Sequence, residues 1–338
     1  MAEPQTAIAP EPIPSPDHPV EIRHAEPDHA TCVLVDWMLG NACNHACSYC
    51  PTALHDGSIP WQKTRDILDF YDLLDSHYQR ALGRRVWLQF TGGEPTMHPQ
   101  IARLLAEASA RGFGTSLISN GGRTLRFWEE IAPLLDSAVL TYHDEEADHA
   151  HFLDVAALLA EMIPLHVNVT VHPDRFEPIM ARAAEIDRAI PGASLSLKPL
   201  RVDFGPTLYR YTAEQMARLA AGSRGAGARG PTTPRGVMLA LAGDGSYRVM
   251  KANAFVLQGG NRWQGYLCEA GLESLRVHGN GRIARATCGA GGPVGRLGAP
   301  VELPLSPVIC DRPACTCVAD ILITKRRVDA LTQGCGLA

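Results

Sequence analysis

The feature that most constrains the fold is a regular alternation of apolar runs and helical stretches between residues 33 and 205. Six runs are typical of buried strands, and five amphipathic stretches separate them. Strands that alternate with helices favour βα units and a parallel sheet. We therefore predict an α/β fold whose sheet closes fully or partly into a barrel. The strand runs are VLVDWML, VWLQFTGG, GTSLISNGG, AVLTYHD, LHVNVTVHP and SLSLKPLR.

Three of these runs have one apolar and one polar face. In HVNVTVH the valines share one face and the polar residues share the other, and VLTYHD and SLSLKPL follow the same pattern. Such a face is too polar for a filled barrel core. We predict a lumen that holds water or a ligand, because a solvent-facing edge would explain one such strand but hardly three.

The chain divides into four regions by composition. Residues 1–30 hold seven prolines without apolar periodicity, which predicts a disordered arm. Residues 31–205 form the barrel, and residues 206–236 form a helix and a Gly-rich linker. Residues 237–338 form a separate small module of β-hairpins, with turns at GDG (243–245) and GNG (279–281).

Composition and charge exclude several classes of protein. The net charge of −5 does not favour binding to nucleic acid or to an anionic membrane. No apolar run approaches the roughly 20 residues that span a bilayer. The N-terminus lacks the layout of a signal peptide, so we expect a cytoplasmic protein. Cysteines in the cytoplasm stay reduced, and clustered ones indicate a metal site or catalysis.

Cys43, Cys47 and Cys50 have C-x3-C-x2-C spacing, and no fourth cysteine follows nearby. Zinc sites usually take two cysteine pairs to complete a tetrahedron. An iron–sulfur cubane needs one thiolate for each iron, so three cysteines leave one iron open for a ligand from outside the protein. Cys32, which lies apart from this group, is interpreted as a small apolar residue at a strand start.

A second motif, QFTGGEP at residues 89–95, lies where the second barrel strand should end. Its glycines allow close approach of the backbone to a ligand, and Glu94 adds a negative charge. With the three cysteines and the aromatic Tyr49, this motif resembles the radical S-adenosylmethionine (radical SAM) superfamily. The resemblance implies a partial (β/α)6 TIM-like barrel.

The resemblance also implies cofactors and a reaction. A [4Fe–4S] cluster bound by the three cysteines and S-adenosylmethionine would together yield methionine and a 5′-deoxyadenosyl radical, which takes hydrogen from the substrate. The electron would come from a flavodoxin- or ferredoxin-type donor. A small molecule or a peptide would be oxidised, epimerised or cyclised. The cofactor-binding residues carried over by position are Tyr49, Gly92, Gly93, Glu94, Ser119 and Asn120.

The hairpin module contains a second group of cysteines. This group, with a hairpin between its first two members, resembles the twitch and SPASM extensions of radical SAM enzymes. The shorter twitch form implies one auxiliary [4Fe–4S] cluster, and either Cys315 or Cys317 would bind it. A zinc knuckle is the alternative. The group is Cys268, Cys288, Cys310, Cys315 and Cys317.

Four further residues are candidates for catalysis. Lys198, one of only four lysines, lies on a polar strand face and suits either a substrate carboxylate or an acidic neighbour. His143 and His172 share the inward-facing pattern, and Cys335 would either donate hydrogen to a substrate radical or be an incidental thiol. Two other functions remain open. One is RNA or nucleotide modification by the same chemistry, and the other is a zinc-binding protein without catalysis.

Overall fold

The computed structural model describes residues 18–205, 207–222, 229–257, 259–315 and 317–328. It contains fifteen strands in two sheets. The strands are β1 Glu21–His24, β2 Cys32–Met38, β3 Arg85–Thr91, β4 Gly114–Ser119, β5 Ser137–Tyr142, β6 Leu165–Val171, β7 Ser194–Pro199, β8 Met238–Leu241, β9 Tyr247–Met250, β10 Tyr266–Cys268, β11 Ser274–Val277, β12 Arg282–Ala284, β13 Pro293–Arg296, β14 Val308–Ile309 and β15 Lys325–Arg327.

Most helices connect consecutive strands of the larger sheet. The α-helices are α1 Pro27–Ala30, α2 Thr64–Leu74, α3 Ile101–Ala110, α4 Leu125–Ile131, α5 His149–Met162, α6 Phe176–Ala189, α7 Ala213–Ala221, α8 Ala252–Leu257 and α9 Val318–Ile321. A π-helical segment, Asp75–Ala81, continues α2. Short 3₁₀ turns lie at Thr52–Leu54, Pro95–Met97, Ala132–Leu134, Pro173–Arg175 and Val202–Phe204.

The larger sheet confirms the predicted α/β fold. Its strand order is β13-β12-β11-β2-β3-β4-β5-β6-β7, and β2 to β7 pair in parallel, each with the next. Helices α2 to α6 connect these six strands in turn. Over the described residues, β7 and β13 have no pairing that joins them, so the sheet forms a partial barrel without closure.

The alternation along the strands separates the helix-packed core from the lumen. Val167, Val169 and Val171 of β6 are buried against the helices, whereas Asn168 and Thr170 between them are half-buried on the other face. The predicted polar face of this strand is therefore confirmed. A small apolar cluster fills the end of the lumen opposite the cysteine loop. Cys32 is one of its buried members, as expected. The cluster consists of Cys32, Leu34, Trp87 and Ala319.

The expected arm is wrong at its C-terminal end. Residues 1–17 lie outside the described residues, but β1 is an inner strand of the second sheet, whose order is β14-β10-β15-β1-β8-β9. Ile22 is fully buried, and His24 donates or accepts a hydrogen bond of 3.0 Å with Glu273. The sequence signal was weak because EIRH has only one apolar residue.

The hairpin module is also less separate than its sequence indicates. Both predicted hairpins are confirmed, β8–β9 around GDG and β11–β12 around GNG. However, β11 pairs in parallel with β2 and adds a seventh parallel strand to the barrel sheet. Gln62 fixes this junction, because its Nε2 donates to the carbonyl oxygens of Met38 and Gly279 at 3.0 Å each.

The predicted linker ends close to a buried arginine, Arg235. Residues 223–228 lie outside the described residues, but Arg235 is buried, and its guanidinium donates to the carbonyl oxygens of His29 and Glu273. This arginine ties the chain between barrel and hairpins to helix α1 and to the residue that precedes β11.

Candidate active site and second cysteine cluster

The loop that carries the first three cysteines is held closed by one buried side chain. Asn41, which follows β2, donates from Nδ2 to Asp56 Oδ1 at 2.6 Å and to the carbonyl oxygen of Ala53 at 2.8 Å. Its Oδ1 accepts from the backbone N–H of Ile59 at 2.8 Å. These bonds span both sides of the loop and fix its base at the end of the first barrel strand.

All three thiols line one cavity of about 430 Å³ at the mouth of the barrel. Cys47 is buried, and Cys43 and Cys50 are half-buried. Burial raises the pKa of Cys47 to about 11 and also raises the pKa of the other two thiols. The thiolates would therefore form at neutral pH only with a cationic ligand, which is how three thiols fit an iron–sulfur cluster.

The structure shows why the GGEP motif needs glycines, which the sequence alone did not. The backbone N–H groups of Gly93 and Glu94 donate to the carbonyl oxygens of Gly40 (3.2 Å) and Ala42 (2.8 Å). A Cβ at Gly92 would collide with the Gly40 carbonyl oxygen, and one at Gly93 with that of Ala42. The two glycines therefore allow close packing against the cysteine loop, as well as lining the cavity.

The Glu94 carboxylate is buried and connects two strand ends. Its Oε1 accepts from Thr96 N (3.0 Å), Thr96 Oγ1 (2.6 Å) and Ser119 Oγ (2.8 Å). Among the described residues, its Oε2 accepts one hydrogen bond, from Asn120 N at 2.8 Å. A carboxylate oxygen can accept a second one, so Oε2 can still bind another donor. Burial raises the pKa of Glu94, and these hydrogen bonds oppose that rise. Ser119 and Asn120 thus lie at the cavity and contact Glu94, and their binding of the cofactor stays a prediction.

Tyr49 joins the cysteine loop to the far wall of the cavity. Its hydroxyl lies 2.7 Å from His143 Nδ1 on the loop after β5 and 3.0 Å from Thr170 Oγ1 on β6. Burial lowers the pKa of His143 to about 4, so its imidazole is neutral at physiological pH. The side chains of Tyr49, His143 and Thr170 all line the cavity.

Two of the other catalytic candidates, His172 and Lys198, are not among the described residues that line this cavity. His172 caps a 3₁₀ turn, where its Nδ1 accepts from the backbone N–H of Asp174 at 3.2 Å. Lys198 lies half-buried on β7, and it is not among the described residues that line the cavity. Burial lowers the pKa of its ammonium. Cys335 lies outside the described residues.

An ion pair that sequence reasoning missed lies on the cavity wall. Arg276 of β11 is in register with Asp36 of β2, and its Nη1 lies 2.5 Å from Asp36 Oδ2. Burial raises the pKa of the Asp36 carboxyl, and the charge and hydrogen bond of Arg276 oppose that rise. An aspartate inside the apolar run VLVDWML was a signal for Asp36, but nothing in the sequence paired it with Arg276.

In the second group, four cysteines share the core of the hairpin region. Cys268, Cys310 and Cys315 are buried there, and Cys288 packs against them. Burial raises the pKa of Cys288 and Cys315 to about 12, and the charges of neighbouring cysteines add to both shifts. Cys317 is not a member of this core, and its charged neighbours include Asp36 as well as Asp320, which also acts on Cys288 and Cys315.

A buried cation lies beside this quartet. Lys325 is 1% exposed, and its Nζ donates to the carbonyl oxygens of Asp320 (2.7 Å), Ile323 (2.9 Å) and Ile321 (3.3 Å). Its charge lowers the pKa of Cys268 and Cys315, against the larger effect of burial. A buried lysine whose hydrogen bonds go only to neutral oxygens fits next to thiolates that bind a cluster.

Two kinds of feature are absent among the described residues. No group of three or more His, Cys, Asp or Glu side chains is arranged to hold a single metal ion. In the part of the chain with assigned structure, no helix has the length and apolarity to cross a membrane.

Comparison with known proteins agrees with the motifs. Residues 37–175 match the family model described as the Radical SAM superfamily. This match runs from the end of β2 to beyond β6 and includes both the cysteine loop and the GGEP loop.

The individual relatives are distant. An AdoMet-dependent heme synthase from Nitratidesulfovibrio vulgaris is 29% identical over 99 residues, and the match covers 29% of this chain and 26% of that protein. The structure is similar to Streptococcus suis SuiB bound to precursor peptide SuiA, with a TM-score of 0.49, 12% identity, and coverage of 76% and 60%. It is also similar to native anSMEcpe with bound AdoMet, with a TM-score of 0.48 and 13% identity. That match covers 80% of this chain and 79% of the other.

Proposed function

We propose that this protein is a radical SAM enzyme that abstracts hydrogen from a small-molecule or peptide substrate, leading to oxidation, epimerisation or cyclisation. The observation that carries the proposal is the convergence of the Cys43, Cys47 and Cys50 thiols and the GGEP loop on one cavity. A cluster at these thiols, with S-adenosylmethionine bound, supplies a 5′-deoxyadenosyl radical and methionine after one-electron cleavage of the sulfonium.

The chain's own residues position the cofactor. Glu94 Oε2 has a free acceptor site at the cavity and suits the amino group of S-adenosylmethionine. Gly92 and Gly93 leave the rim free of side chains. Ser119 and Asn120 hold the Glu94 carboxylate in one orientation, so we assign them a positioning role beside any contact with the ribose.

The barrel wall positions the substrate and excludes water. Tyr49 and His143 close one side of the cavity through their hydrogen bond. With its pKa lowered by burial, His143 takes part as a neutral imidazole. Lys198 is half-buried on β7, the edge strand at the open side of the barrel. It remains a candidate for binding a substrate carboxylate there.

We assign one auxiliary [4Fe–4S] cluster to Cys268, Cys288, Cys310 and Cys315. Their shared core supports this choice, and the different surroundings of Cys317 favour Cys315 as the fourth ligand. Four thiolates leave no iron open, so this cluster would accept an electron from the substrate radical without binding S-adenosylmethionine. We expect a cytoplasmic protein with a flavodoxin- or ferredoxin-type electron donor.

The relatives give two leads to the substrate. SuiB is described in complex with a precursor peptide, and the curated relative is described as a heme synthase. Each relative's activity is its own, and both a peptide and a small molecule stay open for this chain.

The experiment that tests the proposal uses anaerobically reconstituted protein. Glu94→Gln should keep the iron content but weaken S-adenosylmethionine binding about tenfold, because the carboxylate charge facing the amino group is lost. Glu107→Gln, on the exposed face of α3, is the matched control and should bind as the wild type does. Stoichiometric zinc without iron in the wild-type protein would refute the proposal.

A further inference from the structure

Lys325 of β15 is a cation inside the core that holds the second group of cysteines. It is 1% exposed, and its register partner on the antiparallel strand β10 is Cys268. Residues directly opposite each other in such a pair have Cβ atoms about 4.5–5.5 Å apart. The ammonium also lies 5.7 Å from the ring centroid of Trp263, a buried member of the same core. The lysine is therefore part of the wall around the cysteines.

The hydrogen bonds of Lys325 are complete without a carboxylate. Its Nζ donates to the carbonyl oxygens of Asp320, Ile321 and Ile323, and an ammonium has three N–H donors. These acceptors are neutral, so they leave the charge of the lysine uncancelled. Because a buried charge is costly, it is expected to have an anionic group nearby.

One carboxylate in this core opposes the lysine. Asp320 is 2% exposed, and its Oδ2 accepts from the backbone N–H of Cys288 at 2.6 Å. Next to the effect of burial, its charge is the main cause of the raised pKa of Cys288. At Cys268 and Cys315, where burial again dominates, the charge of Lys325 lowers the thiol pKa by more than Asp320 raises it. The two charges thus act on different sides of the cysteine group.

A cluster with four thiolates needs a positive neighbour more than one with three. The fourth thiolate adds one negative charge to the second cluster relative to the first. Reduction adds another, which a core of low dielectric constant makes costly. A fixed cation opposite Cys268 lowers this cost.

The charges beside the first group of cysteines have the opposite sign. Both carboxylate oxygens of Glu145 accept from Ser48 in the cysteine loop, one from its N–H and one from its Oγ, at 2.7 Å each. After burial, the charge of Glu145 adds to the raised pKa of Cys47, and that of Glu94 adds to the raised pKa of Cys43. A positive neighbour is therefore a feature of the second group.

We propose that Lys325 is a positioning residue of the second cluster, whose fixed positive charge offsets the fourth thiolate and raises the reduction potential of that cluster. The inference rests on the proposed function, which assigns a cluster to Cys268, Cys288, Cys310 and Cys315, and it adds the residue that adjusts the potential of this cluster.

The test is a redox titration followed by electron paramagnetic resonance of the anaerobically reconstituted full chain. Replacing Cys43, Cys47 and Cys50 by alanine in this chain leaves the second cluster as the sole source of the signal. In that background, Lys325→Met should lower the equilibrium constant for one-electron reduction about tenfold, which lowers the midpoint potential by about 59 mV. Lys325→Arg keeps the charge and should keep the potential.

Three more variants separate charge from packing. Lys325→Gln is neutral but keeps an N–H donor for the carbonyl oxygens, and it should lower the potential as Lys325→Met does. Asp320→Asn removes the opposing charge and should raise the potential. Lys251→Met, at an exposed lysine of the same region, is the matched control and should leave the potential unchanged. Iron content is measured for each variant, since a purely structural role would change iron content and not the potential.

The outcomes separate this inference from the proposed function. A wild-type protein with only about four irons would refute the second cluster itself, whereas absence of S-adenosylmethionine binding would refute the enzyme assignment and leave this titration valid. Full iron content with an unchanged potential in Lys325→Met and Lys325→Gln would overturn the role of Lys325. If both variants lose the second cluster, Asp320→Asn decides, and a potential that does not rise would overturn the inference.

Discussion

The two cysteine regions are built in opposite ways. The first places three thiols on a loop at the mouth of the barrel, on the wall of a cavity. The second places four cysteines inside a small apolar core, next to the buried cation Lys325. The first arrangement leaves space beside its thiols for a ligand. The second surrounds its thiols with protein, so a cluster there is closed.

The interactions that hold the two cysteine regions in place also differ. Hydrogen bonds of the Asn41 side chain and of the GGEP backbone hold the first loop. The second region depends on packing around the cysteines and on a sheet that includes β1 from the start of the chain. We therefore expect cluster loss to affect binding at the first region and folding at the second.

The largest expected effect is on stability. Replacing Cys268 and Cys288 by alanine should lower the thermal midpoint of the anaerobically reconstituted protein by many degrees, because binding of the proposed cluster there would be coupled to folding. Replacing Cys43, Cys47 and Cys50 by alanine should leave the midpoint almost unchanged. Circular dichroism melts compare the two, and equal losses of stability would contradict the difference between the regions.

Iron analysis sharpens the same comparison. The wild-type protein should hold roughly eight irons in two cubanes, and the triple alanine variant at the first region should keep about half of them. Full iron retention in that variant would mean that the three thiols do not bind a cluster.

A smaller effect should come from the junction between the regions. Glu273 is buried next to Arg235 and His24, and although burial raises its pKa, the His24 hydrogen bond and the two charges lower it below the ordinary value. Its stabilising contribution is therefore complete at neutral pH and is lost as the pH falls below that value. Glu273→Gln should cost about 3 kcal/mol in urea unfolding at pH 7.

The control for this junction is Glu107→Gln, whose side chain is 36% exposed and pairs with Arg111. It should cost less than about 1 kcal/mol. The difference between Glu273→Gln and the wild type should shrink as the pH is lowered toward 4, and a constant difference would contradict the assigned ionisation.

Much of the fold could be predicted from the sequence, but not how its two regions join. Strands β2 to β7 were recognisable because each has a strong local pattern of apolar residues. The parallel pairing of β11 with β2 joins residues about 240 positions apart, and the hairpin pattern around GNG says nothing about its neighbour. Strand β1 was missed because burial of His24 depends on Glu273, a distant partner.

The candidate site shows the same division. Cys43, Cys47, Cys50 and Glu94 could be found because chemistry specifies their type and spacing. The ion pair of Arg276 with Asp36 could not be found in this way, since an arginine in a short hairpin strand is usually exposed. His172 followed the alternation of its strand, yet the strand ended one residue earlier and the side chain became a cap.

Gly93→Ala tests the contact between the GGEP loop and the cysteine loop. An added Cβ would collide with the Ala42 carbonyl oxygen, so the two loops should separate and S-adenosylmethionine affinity should fall about tenfold. Gly192→Ala is the control, because the nearest atom to its Cβ would be 3.9 Å away. Wild-type affinity in Gly93→Ala would show that the loops can shift without effect.

The smallest expected effect concerns Tyr49. Tyr49→Phe removes the hydroxyl that lies 2.7 Å from His143 Nδ1 and leaves the ring in place. It should cost about 1 kcal/mol in chemical unfolding, without a change in iron content. A loss of iron would mean that this hydroxyl maintains the cysteine loop itself.

The central claim is that only the first cysteine region presents an open iron. Electron paramagnetic resonance of the reduced protein, recorded with and without S-adenosylmethionine, tests it most directly. S-adenosylmethionine should change the wild-type spectrum, and it should leave unchanged the remaining cluster signal of the variant with Cys43, Cys47 and Cys50 replaced by alanine. A change in that variant's spectrum on addition of S-adenosylmethionine would contradict the account.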